Sequence, residues 1–281
     1  MLVFLNGQFL PEERAVVPVF DRGFLYGDGL FETLRVVNGR PFRWDAHWQR
    51  LEQGARFLGI SLPFDSGAMR DYACQLIARN ELTDALLRIA LSRGVGPRGY
   101  SPKGAEHPTI IMSLHAAPSL QPTHPPAWRL VTSSFRLPPD ERLARFKTCN
   151  KLPQILARAE ADAAGADEAL LLDLSGHVVE GSSSNLFWFD ATGLCTPPLT
   201  AGILPGVTRA VVMELAQSLG LAVSERVLLP AQLSSASGVF LSVTSSGIVE
   251  AISLDGKSLS SSPRVKELHR AYVQLLVGTK S

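Results

Sequence analysis

Lys147 is the residue that most directly suggests covalent chemistry. An amine attacks a carbonyl only when it is unprotonated, and a free lysine has a pKa of roughly 10.4. Nearby positive charge and burial both disfavour the ammonium form. Arg145 and Lys151 flank Lys147 in RFKTCNKLPQ, and an apolar stripe predicts a helix over residues 150–164. We therefore expect the positive helix end to help keep Lys147 neutral, although a solvated surface lysine is the commoner case.

Glu180 is a second candidate, at the end of a predicted strand in VVEGSSSNLFW. A carboxylate there could face a positively charged ring nitrogen, and it could equally be a solvated acid at the end of a hairpin. The three serines that follow, Ser183 among them, suit the wall of a polar pocket or a plain loop.

A third pattern, GILPGVTRA, indicates an anion site. Gly206 precedes a helix predicted over residues 206–221, and the first N–H groups of a helix are well placed to bind phosphate. An ordinary helix cap is the alternative, and the P-loop pattern G-x-x-x-x-G-K-[ST] does not occur. The candidate phosphate ligands are the main chain of Val207 and Thr208, the hydroxyl of Thr208 and the guanidinium of Arg50. A solvated or salt-bridged helix face is the commoner setting for an arginine such as Arg50. The hydroxyls of Thr244 and Ser245, in VTSSG, taken alone indicate only a loop at the end of a strand.

A glycine-rich stretch, GVGPRGY, carries Arg98 and Tyr100. Binding residues concentrate on such loops, and a guanidinium beside a phenol suits a substrate carboxylate. An exposed loop without a ligand has the same composition.

The elements that must position these residues alternate between groups of strands and helices. Asn-Gly pairs at residues 6–7 and 38–39 predict hairpins, and helices are expected over residues 45–58 and 65–80. A run of prolines in HAAPSLQPTHPPA predicts a linker. We expect an α+β fold with a small N-terminal domain (1–116), a linker (117–126) and a larger C-terminal domain (127–281).

Composition narrows the class of function. The chain has 281 residues, 46% of them hydrophobic, and a net charge of +1, which gives no indication of nucleic-acid binding. Neither a signal peptide nor an apolar run long enough for a membrane span is visible. Three widely separated cysteines favour a reducing compartment, and hence the cytoplasm. The histidine and cysteine spacing does not suggest a metal site.

Taken together, these segments resemble the class IV aminotransferases, which are fold-type IV pyridoxal-phosphate enzymes. The resemblance extends from DRGFLYGDGLFETLRV to VTSSGIVEAISLDGK and is most specific in the central block of KTCNKL, GADEALLLD and VVEGSSSNLFW. It implies a small N-terminal and a larger C-terminal domain with pyridoxal 5'-phosphate between them. It also implies a homodimer in which a loop of one subunit completes the substrate pocket of the other.

The resemblance also implies roles for individual residues. Lys147 matches the lysine that forms a Schiff base with the cofactor, and Glu180 matches the acid that pairs with its ring nitrogen. Ser183 lies in a serine run that lines the cofactor. The residues that match the phosphate cup are Arg50, Val207, Thr208, Thr244 and Ser245. The residues that correspond to substrate-binding positions are Phe31, Thr33, Arg88, Arg98 and Tyr100.

Two activities of this family stay open. The intact EGSSSNLF motif favours a transaminase that moves an amino group from an amino acid or simple amine to a 2-oxo acid. Thr33, the SRGVGPRGYS loop and the KTCNKL pattern instead resemble aminodeoxychorismate lyase, which yields 4-aminobenzoate and pyruvate. Phe31 and Leu86 stand where transaminases of the D-amino-acid and branched-chain types carry tyrosines. A non-catalytic phosphate-ligand binder is a further alternative, and a serine hydrolase is disfavoured because G-x-S-x-G is absent.

Overall fold

The computed structural model of the protein describes residues 1–139 and 141–278. Its chain divides into two compact units. The first contains Met1–Ala117 and Phe146–Asn150, and the second contains the described residues of Pro118–Arg145 and Lys151–Ser281. The segment 146–150, which sequence order alone assigns to the C-terminal domain, thus groups with the N-terminal unit.

A six-stranded antiparallel sheet forms the first unit, together with two longer helices and one short helix. Its elements are β1 (Leu2–Leu5), β2 (Gln8–Pro11), α1 (Arg22–Tyr26), β3 (Gly29–Val37), β4 (Arg40–Pro41), α2 (Trp44–Leu58), α3 (Ser66–Arg79), β5 (Ala85–Ser92) and β6 (Thr109–Ala116). The strand order is β2-β1-β6-β5-β3-β4. Helix α2 packs on β3, and α3 packs on β1 and β4.

Local sequence signals explain several of these elements. Both predicted Asn-Gly turns form, with Asn6 and Asn38 in the left-handed conformation that such hairpins require. Asp65 caps α3 by accepting a hydrogen bond from the main-chain N of Ala68 at 2.8 Å. The apolar face of α2 is buried, with Trp48 and neighbouring residues packed in the same core as the inward side chains of β3.

The segment 146–150 pairs with the first residues of β3. The main-chain N of Phe31 donates to the carbonyl of Lys147 at 2.9 Å, and the N of Cys149 donates to Gly29 at 2.9 Å. Between these two hydrogen bonds, Leu30 and Thr148 form an antiparallel bridge. Main-chain hydrogen bonds at Lys147 and at Cys149 therefore fix this segment to β3.

The second unit is built around a nine-stranded mixed sheet. Its elements are β7 (Ala127–Leu137), α4 (Leu152–Ala163), β8 (Glu168–Asp173), β9 (Val178–Gly181), β10 (Asn185–Asp190), β11 (Gly193–Thr196), α5 (Val207–Ser218), β12 (Val223–Glu225), β13 (Gly238–Val243), β14 (Gly247–Leu254), β15 (Lys257–Ser258) and α6 (Pro263–Gly278). The order is β12-β11-β10-β13-β14-β7-β8-β9, with β15 paired to β14. Pairs β7–β8, β7–β14 and β11–β12 are parallel, and the other pairs are antiparallel.

Strands β8, β10 and β13 of this sheet are buried on both faces along nearly their whole length. Helix α4 covers β7 and β8, while α5 and α6 pack against β13. Strand β8 is therefore buried at every position, as its nearly continuous apolar sequence EALLLD indicates. The aromatic rings of Phe187 and Phe240 stack with their centroids 5.0 Å apart. The predicted α+β class is confirmed.

Within the described residues, no helix combines the length and the apolar character that crossing a membrane would require.

Candidate active site

Lys147 lies beside an aromatic ring on the surface of the first sheet. Its Nζ is 4.7 Å from the centroid of the Phe31 ring, and the guanidinium carbon of Arg88 is 4.1 Å from the same centroid. Thr33 is paired with Arg88 across β3 and β5. Since side chains two residues apart share a face of a strand, Phe31 and Thr33 lie on one side of β3. The structure thus groups four of the predicted residues on one face.

The expected effect of the helix end on Lys147 stays a prediction. Helix α4 begins at Leu152, with Lys151 as its N-cap, whereas the main chain of Lys147 is hydrogen-bonded to β3. The effect of a helix dipole falls off within its first turn. On the first sheet, Lys147 and Arg88 both lie against the Phe31 ring.

On the other side of β3, Arg50 is held by a buried carboxylate. Its Nε and Nη2 both donate to Glu32, each at 2.7 Å, in a fork-like ion pair. The Nδ1 of His47 lies 2.7 Å from the same carboxylate. All three side chains are buried. Strand β3 and helix α2 therefore fix the direction of the Arg50 guanidinium.

Electrostatics keeps this cluster in one ionisation state. Burial alone would raise the pKa of Glu32, but the charge of Arg50 and hydrogen bonds from His47 and Arg50 lower that pKa from 4.5 to about 2. Burial lowers the pKa of His47, and the charges of Arg50 and Lys147 lower it further against the opposing effect of Glu32. At neutral pH, His47 is thus uncharged and donates its Nδ1–H to an ionised Glu32.

The Glu32 ion pair should make stability depend on pH. Because the pKa of this carboxyl is depressed in the folded state, its contribution is complete above about pH 4.5 and disappears as pH falls towards 2. That contribution corresponds to about 3 kcal/mol. We expect Glu32→Gln to be destabilised at pH 7, with a difference from the wild type that shrinks below pH 4.5. Urea unfolding of both proteins at a series of pH values measures the difference in their free energy of unfolding. A difference that stays constant with pH would contradict the depressed pKa of Glu32.

In the second unit, Glu180 is tied to the segment that leads into α5. Its Oε2 accepts hydrogen bonds from Asn185 Nδ2 at 3.1 Å and from the main-chain N of Leu204 at 3.0 Å. Asn185 Nδ2 also donates to the carbonyl of Leu204 at 3.0 Å. A Cβ added to Gly206 would lie 2.1 Å from Asn185 Oδ1. Only glycine therefore fits between Asn185 and the start of α5.

The start of α5 has the features of a phosphate site. Gly206 is its N-cap and supplies no side-chain acceptor, while Val207 and Thr208 open the helix. The N–H groups of a first helical turn have no acceptor within the helix. Thr244 and Ser245 lie in the turn between β13 and β14. Pairing of Asn185 with Ser242 brings that turn to the same end of the sheet as Asn185. Main-chain donors and hydroxyls thus meet where the chemistry suits a phosphate dianion.

The hydroxyls of Ser182, Ser183 and Ser184 all bind Glu168, which the sequence analysis did not identify as a site residue. Hydroxyls of Ser183 and Ser184 donate to Glu168 Oε2 at 2.9 and 3.1 Å, and that of Ser182 donates to Oε1. The main-chain N of Ser182 donates to Oε1 at 3.2 Å. Glu168 is completely buried. A single carboxylate therefore shapes the loop between Glu180 and Asn185, and the Ser183 hydroxyl serves this loop in the structure.

Glu168, Asn185 and His47 were not among the predicted site residues. An acid at the start of the apolar run EALLLD was the available signal for Glu168, because a charge buried in a strand needs several partners. Asn185 lay within the recognised EGSSSNLF motif without a role of its own. His47 is one helical turn from Arg50, so a shared face could have been anticipated.

The predicted residues fall into three groups. Lys147, Arg50, Phe31, Thr33 and Arg88 lie on β3 and its neighbours in the first unit. Glu180, Ser183, Val207, Thr208, Thr244 and Ser245 cluster at one end of the sheet in the second unit. Arg98 and Tyr100 lie on an exposed loop after β5, where the Tyr100 ring contacts that of Tyr26.

Similarity to known proteins places this site in a family. Residues 29–254 match the model of Amino-transferase class IV. A candidate branched-chain-amino-acid aminotransferase of Methanocaldococcus jannaschii is 38% identical over 261 residues, covering 92% of this chain and 90% of that protein. An aminodeoxychorismate lyase of Vibrio harveyi is 36% identical over 227 residues, covering 79% of this chain and 80% of that protein.

A solved structure shows the same fold. A T.th. branched-chain amino acid aminotransferase, solved with pyridoxamine 5'-phosphate, superposes with a TM-score of 0.91 at 27% identity, covering 99% of this chain and 95% of that one. The chain therefore belongs to the class IV aminotransferase family.

Proposed function

We propose that the protein is a pyridoxal 5'-phosphate-dependent transaminase that transfers an amino group from an amino acid to a 2-oxo acid. The proposal rests chiefly on Lys147, whose main chain is fixed to β3 and whose amine lies over Phe31. Similarity over 92% of the chain to a branched-chain-amino-acid aminotransferase relative supports it and makes branched-chain amino acids the first donors to test.

The residues present fit this cofactor. Val207 and Thr208, at the glycine-capped start of α5, and the Thr244-Ser245 turn would bind its phosphate, with Arg50 as the cation. Glu180, already oriented by Asn185 and Leu204, would hold the ring nitrogen in its protonated form. When bound, the cofactor acts as an electron sink for the bond broken at the substrate Cα.

Each catalytic residue then has a defined task. Lys147 would hold the cofactor covalently through its amine in the resting enzyme, and once the substrate amine has replaced it, its neutral Nζ would remove the Cα proton. The same Nζ would then donate that proton to complete the transfer of the amino group. Arg88, whose guanidinium carbon lies 4.1 Å from the centre of the Phe31 ring, would supply a positive charge for a substrate carboxylate. The amino group would leave the donor in a first half-reaction and reach the 2-oxo acid in a second, with Lys147 acting in both. This order predicts ping-pong kinetics.

Aminodeoxychorismate lyase activity is the second candidate. The 36% identity to the Vibrio harveyi lyase favours it, as does the pairing of Thr33 with Arg88 on the face that carries Lys147. The chemistry at Lys147 would be shared, since both reactions begin with removal of a proton from an amino-bearing carbon.

We also propose that the enzyme is a cytoplasmic homodimer. The first unit exposes a run of apolar side chains before and within α1, in which Phe20 and Phe24 are 66% and 76% exposed. Exposed apolar surface of this kind is typical of protein interfaces. The family resemblance favours a second copy of the chain as its partner.

A single panel of donors tests the proposal. Purified protein loaded with the cofactor is mixed separately with branched-chain L-amino acids, D-alanine, a chiral amine and aminodeoxychorismate. A transaminase donor converts the cofactor to its amine form, which absorbs at shorter wavelength, and an added 2-oxo acid restores the original spectrum. Release of pyruvate and 4-aminobenzoate from aminodeoxychorismate, with no conversion by any other donor, would identify the lyase instead.

A further inference from the structure

Arg22 is a buried guanidinium that binds three consecutive carbonyl groups of one loop. Its Nη1 donates to the carbonyls of Gly99 at 2.8 Å and Ser101 at 3.2 Å, and its Nη2 donates to that of Tyr100 at 3.1 Å. Its Nε donates to Asp28 at 2.8 Å. The side chain is 3% exposed. A planar fork of donors is what allows one residue to bind several carbonyls at once.

Tyr26 strengthens the same arrangement. The guanidinium of Arg22 lies 5.0 Å from the centre of the Tyr26 ring, and Tyr26 Oη accepts a hydrogen bond from the main-chain N of Gly99 at 3.1 Å. Gly99 has a φ of +110°, which residues with side chains rarely adopt. Two side chains of α1 therefore help to fix the path of the loop from Gly99 to Ser101.

This path directs Tyr100 outwards. The Tyr100 ring is 88% exposed although its carbonyl is bound by Arg22. Ordered main chain beneath an exposed aromatic side chain is typical of a binding loop, because the scaffold fixes a residue that must contact something else. Arg98 is also exposed on this loop.

We propose that Arg22 is a positioning residue for substrate recognition. It fixes residues 98–101 so that Arg98 and Tyr100 meet the substrate carboxylate in the site of the other subunit of a homodimer. This inference rests on the proposed transaminase function. It makes Arg22 of α1 responsible for the conformation of the loop formed by residues 98–101.

Arg93 provides a matched control within the same cluster. It also binds Asp28, through Nε at 2.8 Å, and it is 8% exposed. Its other hydrogen bonds go to the carbonyls of Leu58 at 2.8 Å and Gly59 at 2.9 Å, at the end of α2. Loss of either arginine thus removes a buried cation from Asp28, but only loss of Arg22 releases the loop.

The first experiment compares Arg22→Met with Arg93→Met in the cofactor-loaded enzyme. We expect Arg22→Met to raise the KM for the amino donor by about 10-fold or more, since charge-assisted hydrogen bonds that order the loop are lost. The kcat and the absorption spectrum of the bound cofactor should change little. The inhibition constant of 4-methylvaleric acid, a carboxylate without an amine, should rise in parallel with KM. Arg93→Met should leave both constants close to wild type.

The second experiment asks which subunit the loop serves. Mixed dimers of Arg22→Met and Lys147→Ala subunits contain a functional site only in the Arg22→Met subunit, and the intact loop comes from its partner. We expect these dimers to recover the wild-type KM at about half the wild-type kcat per dimer, because one site in two is functional.

Three results would overturn the inference. An unchanged KM in an active Arg22→Met enzyme would show that Arg22 does not position the loop for substrate binding. An equal rise in the KM of Arg93→Met would show that the effect comes from general disruption around Asp28. A raised KM in the mixed dimers would show that the loop serves its own subunit. Absence of transamination in the wild type would instead count against the proposed function, so the two failures are distinguishable.

Discussion

Replacing Lys147 with alanine is expected to lower the rate of transamination by about 10⁴-fold or more. In the proposed mechanism, the substitution removes both the amine that would bond to the cofactor and the group that would move the Cα proton. Acid–base catalysis alone is worth a factor of about 10² to 10⁴. The fold should survive, because the hydrogen bonds that fix this segment to β3 come from main-chain atoms of Lys147 and Cys149. Loss of activity without loss of structure is therefore the expected phenotype.

Borohydride reduction makes this prediction specific. In the wild type it should attach the cofactor irreversibly to the peptide that contains Lys147, where mass spectrometry can locate it. The Lys147→Ala variant should bind the cofactor without becoming labelled. Lys151→Ala is the matched control, since it removes an amine four residues away at the N-cap of α4. Labelling at Lys151, or full activity in Lys147→Ala, would refute the assignment.

Much of the fold could be predicted because its determinants are local. The Asn-Gly turns, the cap at Asp65 and the apolar face of α2 each depend on residues within one turn or one helix. The glycine-opened start of α5 was likewise readable from GILPGVTRA. Such elements can be predicted without knowing which distant residues pack against them.

The surroundings of the site depend on contacts between distant residues, and those were not readable. Lys147 is placed by β3, more than a hundred residues earlier in the chain. The helix that follows Lys147 could therefore be predicted from the sequence, but the pairing of the Lys147 segment with β3 could not. The serine run was likewise recognised as polar, but its acceptor, Glu168, precedes it by fourteen to sixteen residues on another strand. Only pairing of the strands brings these groups together.

The family resemblance singled out Glu180 as the acid expected to pair with the ring nitrogen, and the structure shows how this carboxylate is held. The carboxylate joins β9 to the approach of α5 through Asn185 and Leu204. The adjoining loop is held independently by Glu168. An acid that must face one ring atom benefits from being fixed in this way, because orientation errors of an ångström are costly in catalysis.

Replacing Glu180 with glutamine is expected to slow the reaction by about 10- to 1,000-fold without preventing cofactor binding. An amide oxygen can accept the hydrogen bonds from Asn185 Nδ2 and Leu204 N, so the geometry is retained while the negative charge is lost. A close carboxylate raises the pKa of a paired cationic nitrogen by about 1 to 3 units. Removing it makes the ring a weaker electron sink, and proton removal by Lys147 becomes the slow step.

An isotope measurement and two further variants distinguish this cause from simple misfolding. In Glu180→Gln, a donor deuterated at Cα should show a larger kinetic isotope effect than in the wild type, and Glu180→Asp should recover part of the rate because the charge is restored. Glu250→Gln is the control, since Glu250 is a buried carboxylate of the same sheet that accepts a hydrogen bond from Ser261 at 2.7 Å. A wild-type rate in Glu180→Gln, or an equal loss in Glu250→Gln, would show that the charge at position 180 does not assist the reaction.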